Sequence, residues 1–264
     1  MTWPFDVAPP VPLPPGRSVV ADEGDGRPIP LWISDAPAPT GLWAQLHRAH
    51  AQSGLWPLLL SPLNDVDPDF RPWLSGELDP GRASDPAEHD PAAVLREWWE
   101  PGEDLEPEDT EEEFEALAPY GAAWPGLAPA ATVPDGAADA EARGLAGALQ
   151  PGRNVRLGLV RAASGAEALV ACGWAGPLNH DNDIAKIAAV LADWERRFGA
   201  QVVEVGFDTL QLSVAAPPAT LAEALPLAAE HAAFCPDQIH QSAGTLTAYA
   251  EQLVASRHWY FWWD

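Results

Sequence analysis

The first candidate for chemistry is a histidine and a cysteine four residues apart, His231 and Cys235, near the end of a predicted helix. Residues at that spacing lie on one side of a helix, so the imidazole could serve as a base for the thiol. With Asp237 and His240 just beyond, the pair could instead hold a metal ion. The spacing matches no nucleophile or zinc signature, and a cysteine is commonly buried as a small apolar side chain. We therefore expect a helix end where His231 binds a carbonyl and Pro236 stops the helix, with catalysis as the weaker alternative.

A second polar cluster, Asn179-His180-Asp181-Asn182-Asp183, lies where a strand passes into a helix. The free N–H groups of a helix N-terminus can bind an anion, but the carboxylates here oppose that use. Carboxylates beside His180 could bind a metal, whereas Asn182 or Asp183 as a helix N-cap is the more common role. We favour capping and keep His180 as a further catalytic candidate. The chain has no glycine-rich phosphate loop, H-E-x-x-H pair or G-x-S-x-G elbow, so no cofactor and no metal is predicted.

The most acidic stretch runs from Glu103 to Glu115 and contains no basic residue. The capping-box spacing of Thr110 and Glu113 predicts a short helix in this stretch, reaching Leu117. Such a run is most often a solvated surface, but aromatic neighbours could make it a docking site for a basic partner. The residues assigned to this interaction surface are Trp98, Trp99, Glu111, Glu112, Glu113 and Phe114.

The distribution of charge narrows the classes of partner. The 264-residue chain has a formal net charge of −25, and residues 61–150 hold 22 acidic against four basic residues. Nucleic acid and anionic membranes need clustered Lys and Arg, so neither is an expected partner, whereas a basic protein would be attracted. Two cysteines are too few for a disulfide framework, and neither a secretory signal nor a membrane span is visible. Abundant Ala, Pro and Arg are typical of GC-rich bacterial genomes, so we expect a bacterial cytoplasmic protein.

Composition and pattern divide the chain into four parts. Residues 1–28 are rich in proline and are predicted to be extended, with neither helix nor strand. Residues 29–100 contain a strand–helix–strand unit followed by an Asp-Pro-rich extension. Residues 101–152 are an acidic stretch that passes into a linker rich in Ala, Gly and Pro. Residues 153–264 form a C-terminal domain with a clear sequence of strands and helices.

Local signals place the elements of the N-terminal region. Strands are predicted at 29–33 and at 55–60, where the second is a continuous apolar run typical of a buried strand. Between them, Thr40 is expected to cap a helix that ends at Gly54. Asp90, followed by proline, marks the start of another helix.

The C-terminal domain is predicted to contain five strands and three helices. The strands are predicted at 155–159, 168–172, 201–205, 210–215 and 259–263, and the helices at 184–198, 220–234 and 245–254. Ser164-Gly165 is expected to form a hairpin turn between the first two strands. Pro226 predicts a kink in the second helix or a later start.

This order of elements predicts an α+β fold with a C-terminal split βαβ, ferredoxin-like sandwich and an extra helix, preceded by the smaller strand–helix–strand region. The helices are expected on one face of an antiparallel sheet. The last strand is strongly aromatic and should be packed inward. Alternation along it would place Trp259, Phe261 and Trp263 on one face and Tyr260 and Trp262 on the other.

Several short segments, one that begins at residue 54 and the others in the C-terminal region, resemble one protein family. They are Gly54-Leu55-Trp56-Pro57-Leu58-Leu59, Gly173-Trp174, Asn179-His180, Phe207-Asp208-Thr209-Leu210, Ser213-Val214-Ala215, Ala229-Glu230-His231, Phe234-Cys235-Pro236-Asp237 and Phe261-Trp262-Trp263-Asp264. These segments resemble the bacterial family called domain of unknown function 4253, which has many actinobacterial members. The resemblance implies a shared fold over about residues 155–264, and it supplies no catalytic residues.

Two classes of function follow from these observations. Segregated acidic charge without a catalytic motif favours a non-enzymatic protein-binding module, such as a regulator or an immunity-type inhibitor, that acts through the acidic, Trp-bearing surface. The alternative is an enzyme or a small-ligand or metal binder that uses His180, His231, Cys235 and Asp237.

Overall fold

The computed structural model describes residues 3–21, 28–100 and 114–264. Its strands form one seven-stranded mixed sheet in the order β1-β2-β4-β3-β5-β6-β7, in which only β3 and β5 pair in parallel. The strands are β1 Gly16–Val20, β2 Pro28–Pro37, β3 Leu55–Leu60, β4 Arg156–Arg161, β5 Ala200–Val205, β6 Thr209–Val214 and β7 His258–Trp262.

Helices cover both faces of this sheet. They are α1 Leu42–Ser53, α2 Pro91–Trp99, α3 Ala137–Leu149, α4 Gly165–Cys172, α5 Ile184–Phe198, α6 Leu221–Phe234 and α7 Leu246–Leu253. Helices α1 and α3 pack on one face, where Trp43 and Leu46 join a core cluster with strand residues such as Leu159. The larger core lies on the other face, beneath α2 and α4 to α7. In the part of the chain that the structure describes, none of the helices has both the length and the apolarity needed to cross a membrane.

Elements with complete local signals are confirmed. The strand–helix–strand unit appears as β2, α1 and β3, and Gly54 ends α1 in the left-handed conformation that favours glycine. The N-cap of α1 is Gly41 rather than Thr40, and no side chain caps this helix. Asp90 and Asp183 cap α2 and α5, where each carboxylate accepts a hydrogen bond from a backbone N–H two residues ahead.

The predicted strand at 168–172 is wrong, because these residues belong to helix α4. Ser164 caps this helix by accepting a hydrogen bond from the Glu167 N–H, and the Glu167 carboxylate accepts one from the Ala163 N–H. Gly173 ends the helix in the left-handed conformation. The alternation of small apolar residues is also compatible with a short helix, and the capping residues settle the choice in favour of the helix.

The stretch predicted to be a linker, within residues 118–152, contains helix α3. Ala142 and Ala146 are buried on one side of this helix against the sheet. The chain before it is fixed to the core, because the Ala128 N–H donates to the Glu230 carboxylate at 2.6 Å and the Ala131 N–H donates to the Arg197 carbonyl at 3.0 Å. Contacts distant in sequence therefore order a segment whose composition resembles a linker.

Two proline-based expectations are corrected. The Pro-rich N-terminal segment contains strand β1, which pairs antiparallel with β2. Gly16 permits this pairing, because a Cβ atom at that position would lie only 2.1 Å from the Trp32 ring. Helix α6 begins at Leu221 and runs through Pro226 without a later start. Thr220 and Glu223 form a capping box that secures its first turn.

The fold is α+β, but the predicted ferredoxin-like arrangement is not confirmed. Strand β3, from the N-terminal region, lies between β4 and β5, and helices lie on both faces of the sheet rather than on one. Strand β7 forms the edge beside β6, with Trp259, Phe261 and Trp263 buried and Tyr260 44% exposed. The predicted alternation of the aromatic strand is therefore confirmed.

Candidate functional site

Cys235 belongs to a row of side chains that closes the outer edge of β7. Three carbonyl oxygens of this strand point away from β6, and each accepts a side-chain hydrogen bond. The donors are Ser256 Oγ to the His258 carbonyl at 2.8 Å, Gln238 Nε2 to the Tyr260 carbonyl at 3.0 Å, and Cys235 Sγ to the Trp262 carbonyl at 2.9 Å. An open edge strand is a template for pairing with other chains, and these donors remove the acceptors that such pairing needs. The geometry gives Cys235 a structural role.

Burial opposes thiolate formation at both cysteines, raising the pKa of Cys172 and of Cys235 to about 12. At pH 7.5 such a thiol is ionised in a fraction on the order of 10⁻⁴ to 10⁻⁵. We therefore expect iodoacetamide to leave both cysteines unmodified in the folded protein, as measured by intact mass over several hours. Two adducts in guanidinium chloride provide the positive control. Rapid native alkylation of Cys235 would contradict this structural assignment.

His231 lies in an aromatic cage, away from any reaction partner. Its ring centroid lies 4.5 Å from that of Trp259 and 4.8 Å from that of Trp194, and its Nδ1 shares a hydrogen bond with the Tyr249 hydroxyl at 3.0 Å. The partner is thus a hydroxyl rather than the expected carbonyl. Desolvation lowers the pKa of His231 well below its ordinary value, with a smaller effect from Arg197, so the imidazole is neutral.

The remaining candidates in the C-terminal region do not assemble with His231 and Cys235 into a reactive group. The His180 ring packs against Trp98 at 4.9 Å, and burial lowers its pKa. Asp237 accepts hydrogen bonds from the Gln241 side chain and from the Asp264 N–H. Over the ranges that the structure describes, the Cys235 N–H donates to the His231 carbonyl at the end of α6, but no hydrogen bond joins the His231 imidazole to the Cys235 thiol. No three His, Cys, Asp or Glu residues of these ranges come together as metal ligands.

The aromatic residues of the predicted interaction surface pack into the protein. Trp99 is buried with its ring 5.5 Å from that of Trp124. Trp98 is half-buried and donates a hydrogen bond from Nε1 to the Asp181 carboxylate at 3.0 Å. Phe114 is also half-buried. The other members of this set, Glu111, Glu112 and Glu113, lie outside the described residues.

A Ser–His–Asp cluster that the sequence did not suggest lies beside the start of α5. The Ser84 hydroxyl lies 2.6 Å from His89 Nε2 and donates to Asp183 Oδ2 at 2.5 Å. The same carboxylate oxygen lies 3.6 Å from His89 Nε2. In a catalytic triad the carboxylate binds the other ring nitrogen, so this arrangement is a tether at the N-terminus of α5. A depression of about 430 Å³ nearby has five alanines among its lining residues. Of its charged residues, Asp193 and Arg196 pair with each other, and Glu167 accepts a hydrogen bond from the Ala163 N–H.

A larger cleft, of about 560 Å³, lies at the end of the sheet marked by the turn between β5 and β6. Residues of the 72–82 segment, including Leu78, Asp79 and Arg82, line one side of it. The C-terminal region lines the other side through residues after α4, in the β5–β6 turn and after β7. These include Leu178, Asn179, Phe207, Asp208, Trp263 and Asp264. The cleft thus combines apolar walls with several polar groups.

Backbone hydrogen bonds fix the two acidic residues that the sheet brings to this cleft. The Asp208 carbonyl accepts from the Trp263 N–H at 3.1 Å, and the turn around it is closed by the Gly206 N–H donating to the Thr209 carbonyl at 2.8 Å. The Asp264 N–H donates to Asp237 Oδ2 at 3.0 Å, and its carbonyl accepts from Asn179 Nδ2 at 3.1 Å. Both residues are therefore held in place through their main chains.

The charges around the cleft are unevenly paired. Glu77 accepts two hydrogen bonds from Arg71, at 2.6 and 2.7 Å, and the Arg71 guanidinium lies 5.0 Å from the centre of the Phe207 ring. Among the described residues, Asp208 and Asp264 make no ion pair. Burial raises the pKa of Asp208, and the charge of Asp264 adds to this effect, whereas a hydrogen bond with its own backbone opposes it.

One protein-family model matches the part of the chain that lines one side of this cleft. Residues 156–264 match the model of the Domain of unknown function (DUF4253). This match supports the resemblance seen in the sequence, and it covers β4 to β7 but not β1 to β3. The DUF4253 region supplies Asp208 and Asp264 to the cleft, whereas the 72–82 wall lies outside the match. A search of the curated proteins and a search of the solved structures each found no match.

Sequence reasoning missed the cleft, although signals for part of it were present. Asn179, Asp208 and Asp264 all lie in segments that carried the family resemblance. Their roles were invisible because no catalytic pattern joins them, and because the opposite wall comes from a segment that lies about 100 to 190 residues earlier in the chain. Convergence of separated segments on one cleft is a property of the fold.

Proposed function

We propose that this protein binds a small molecule in the cleft between the 72–82 segment and the DUF4253 region. The observation that carries the proposal is the cleft itself. Its volume of about 560 Å³ falls within the range of about 300–1,000 Å³ typical of small-molecule sites. Apolar surface from Leu78, Leu178 and Phe207 adjoins the carboxylates of Asp208 and Asp264, which is the mixture that such sites use for affinity and orientation.

The proposal is for binding rather than catalysis. The described lining of the cleft contains no serine, cysteine or histidine that could act as a nucleophile or as an imidazole base. His231 and Cys235, the nucleophile candidates from the sequence, are enclosed in the core and at the edge of β7. The small-ligand hypothesis therefore now rests on the residues that line the cleft instead of His180, His231, Cys235 and Asp237.

A second candidate function is docking of a basic protein on the acidic middle of the chain, as for a regulator or an immunity-type inhibitor. It is supported by the net charge of residues 61–150, where 22 acidic residues face four basic ones. Since Trp98 and Trp99 pack inward, carboxylates would carry this interaction. Affinity capture at low and high salt, with and without residues 101–117, tests it. From composition we propose a bacterial, cytoplasmic protein, and the resemblance to a family with many actinobacterial members makes actinobacteria the favoured source.

A variant that fills the cleft tests the binding proposal. Leu178 is 45% exposed at the cleft, and Leu178→Trp is expected to weaken cleft ligands about tenfold or more, because the indole occupies their space. Ligands are first selected from a metabolite library by thermal shift, and their Kd is then measured by calorimetry. The matched control is Leu221→Trp, at an equally surface-exposed leucine outside the cleft (37%), which should leave Kd unchanged. Equal binding by both variants would place the ligand elsewhere.

A further inference from the structure

We infer that the ligand of the cleft carries a protonated nitrogen, held by the carboxylates of Asp208 and Asp264, with its apolar part against Leu178 and Phe207. This inference rests on the proposed binding function and names the class of molecule bound. It concerns residues that no catalytic motif identifies.

The first support is that the two carboxylates are positioned but uncommitted. The main chain of Asp208 is bound to Trp263, and the main chain of Asp264 is bound to Asp237 and Asn179. In the part of the chain that the structure describes, neither side-chain carboxylate forms an ion pair or receives a hydrogen bond from another side chain. Because the main chains of both residues are already fixed, only their side-chain torsions remain to be ordered on binding, which favours affinity.

The second support is the balance of charge in the cleft. Glu77 is neutralised by Arg71, and among the described residues that line the cleft this leaves Asp79, Asp208 and Asp264 against the guanidinium of Arg82. Asp208 and Asp264 line the same cleft and Asp208 is half-buried, so a bound cation would relieve the excess of negative charge there. The net charge of −25 adds a long-range field that attracts cations and repels anions. An anionic ligand would be repelled both by the carboxylates of the cleft and by the net charge of the protein.

The third support is the apolar surface next to these carboxylates. Leu178 remains 45% exposed, and the half-buried Phe207 ring lies beside Asp208 in the same turn. Exposed apolar surface in a concave site gains free energy when a ligand covers it. A fully hydrated metal ion would leave this surface uncovered, whereas an organic amine with an aromatic or aliphatic body would cover it.

The test compares two probes of matched shape and different charge. Tryptamine carries an ammonium group at neutral pH, and tryptophol carries a hydroxyl in its place. Kd values are measured at pH 7 by NMR titration of the full chain, with shifts of the Trp263 indole N–H reporting on the cleft. We expect tryptamine to bind about tenfold or more tightly than tryptophol. Asp208→Asn should remove this preference without changing tryptophol binding, and Glu88→Gln, at an exposed acid outside the cleft, should retain it.

Each other outcome overturns a defined part of the proposal. Equal binding of both probes at the cleft would overturn the protonated nitrogen and leave the binding function intact. A preference for tryptamine that survives in both Asp208→Asn and Asp264→Asn would overturn the role of these carboxylates. Displacement of tryptamine by millimolar Ca²⁺, with shifts at the same residues, would replace the amine by a metal ion. Failure of tryptamine to bind would overturn the inference, and the library screen then decides separately whether the cleft binds any ligand.

Discussion

A variant that lacks residues 259–264 is expected to show no cooperative thermal unfolding transition. The deletion removes most of β7 and five aromatic side chains, three of which are buried: Trp259, Phe261 and Trp263 are each at most 3% exposed. Truncating one such side chain to alanine costs about 3–5 kcal/mol. The loss of all three therefore approaches or exceeds the 5–15 kcal/mol by which a typical domain is stable.

The loss of β7 also affects its neighbour and the helices above it. Strand β6 would become an open edge, and the indole hydrogen bond from Trp263 to the Phe234 carbonyl in α6 would disappear. Circular dichroism and differential scanning calorimetry measure the transition. Tyr260→Ala, at the outward-facing position of the same strand, is the control and should melt within a few degrees of the parent protein. A truncated chain with an unchanged melt would show that β7 does not close the core.

The second large effect is expected from Arg197→Met, which should lower the free energy of unfolding by about 3–5 kcal/mol. Arg197 lies between two buried carboxylates: its Nε donates to Asp193 Oδ2 at 2.5 Å, and its terminal nitrogens donate to both oxygens of Glu230. Trp194 Nε1 and the Ala128 N–H complete the partners of Glu230. Removing the guanidinium leaves uncompensated negative charge in the core.

The Arg197→Met destabilisation should depend on pH with a definite sign. Burial already raises the pKa of Glu230, even though Arg197 opposes the shift. Without Arg197 that pKa rises further above its unfolded value, so the folded state takes up a proton as the pH falls and regains stability. The loss should therefore be larger at pH 8 than at pH 5, as measured by urea denaturation. The matched control is Arg196→Met, whose side chain is 72% exposed and also pairs with Asp193; it should cost less than about 1 kcal/mol. Equal losses in both variants would contradict the buried network.

The elements that the sequence alone predicted correctly are those specified by residues within the element or directly beside it. Asp183 before α5 and Gly199 after it act within one helical turn, and the alternation of aromatic residues in β7 directly reports its buried face. The strand predicted at 168–172 failed because small apolar residues satisfy both periods, and only the caps at Ser164 and Gly173 distinguish them.

The features that sequence could not supply depend on contacts between distant residues. The segment around Ala128 is ordered by a hydrogen bond from its N–H to the carboxylate of Glu230, which lies 102 residues further along the chain. No local sequence pattern predicts this hydrogen bond. The order of the strands is equally nonlocal, because β3 lies between β4 and β5 in the sheet although it is distant from both along the chain. The same holds for the cleft: its acidic residues were visible as parts of a family-like pattern, but their shared cavity with the 72–82 segment was not.

Because of the position of β3, the segment that matches the family model lacks a strand that its own sheet needs. The DUF4253 match begins at residue 156, yet β4 and β5 are joined only through β3, which contributes backbone hydrogen bonds to both. A fragment starting at residue 156 would carry a gap in the middle of its sheet, with two rows of backbone groups exposed to solvent. A fragment that begins at residue 156 is therefore expected not to fold, although it contains the whole of the family match.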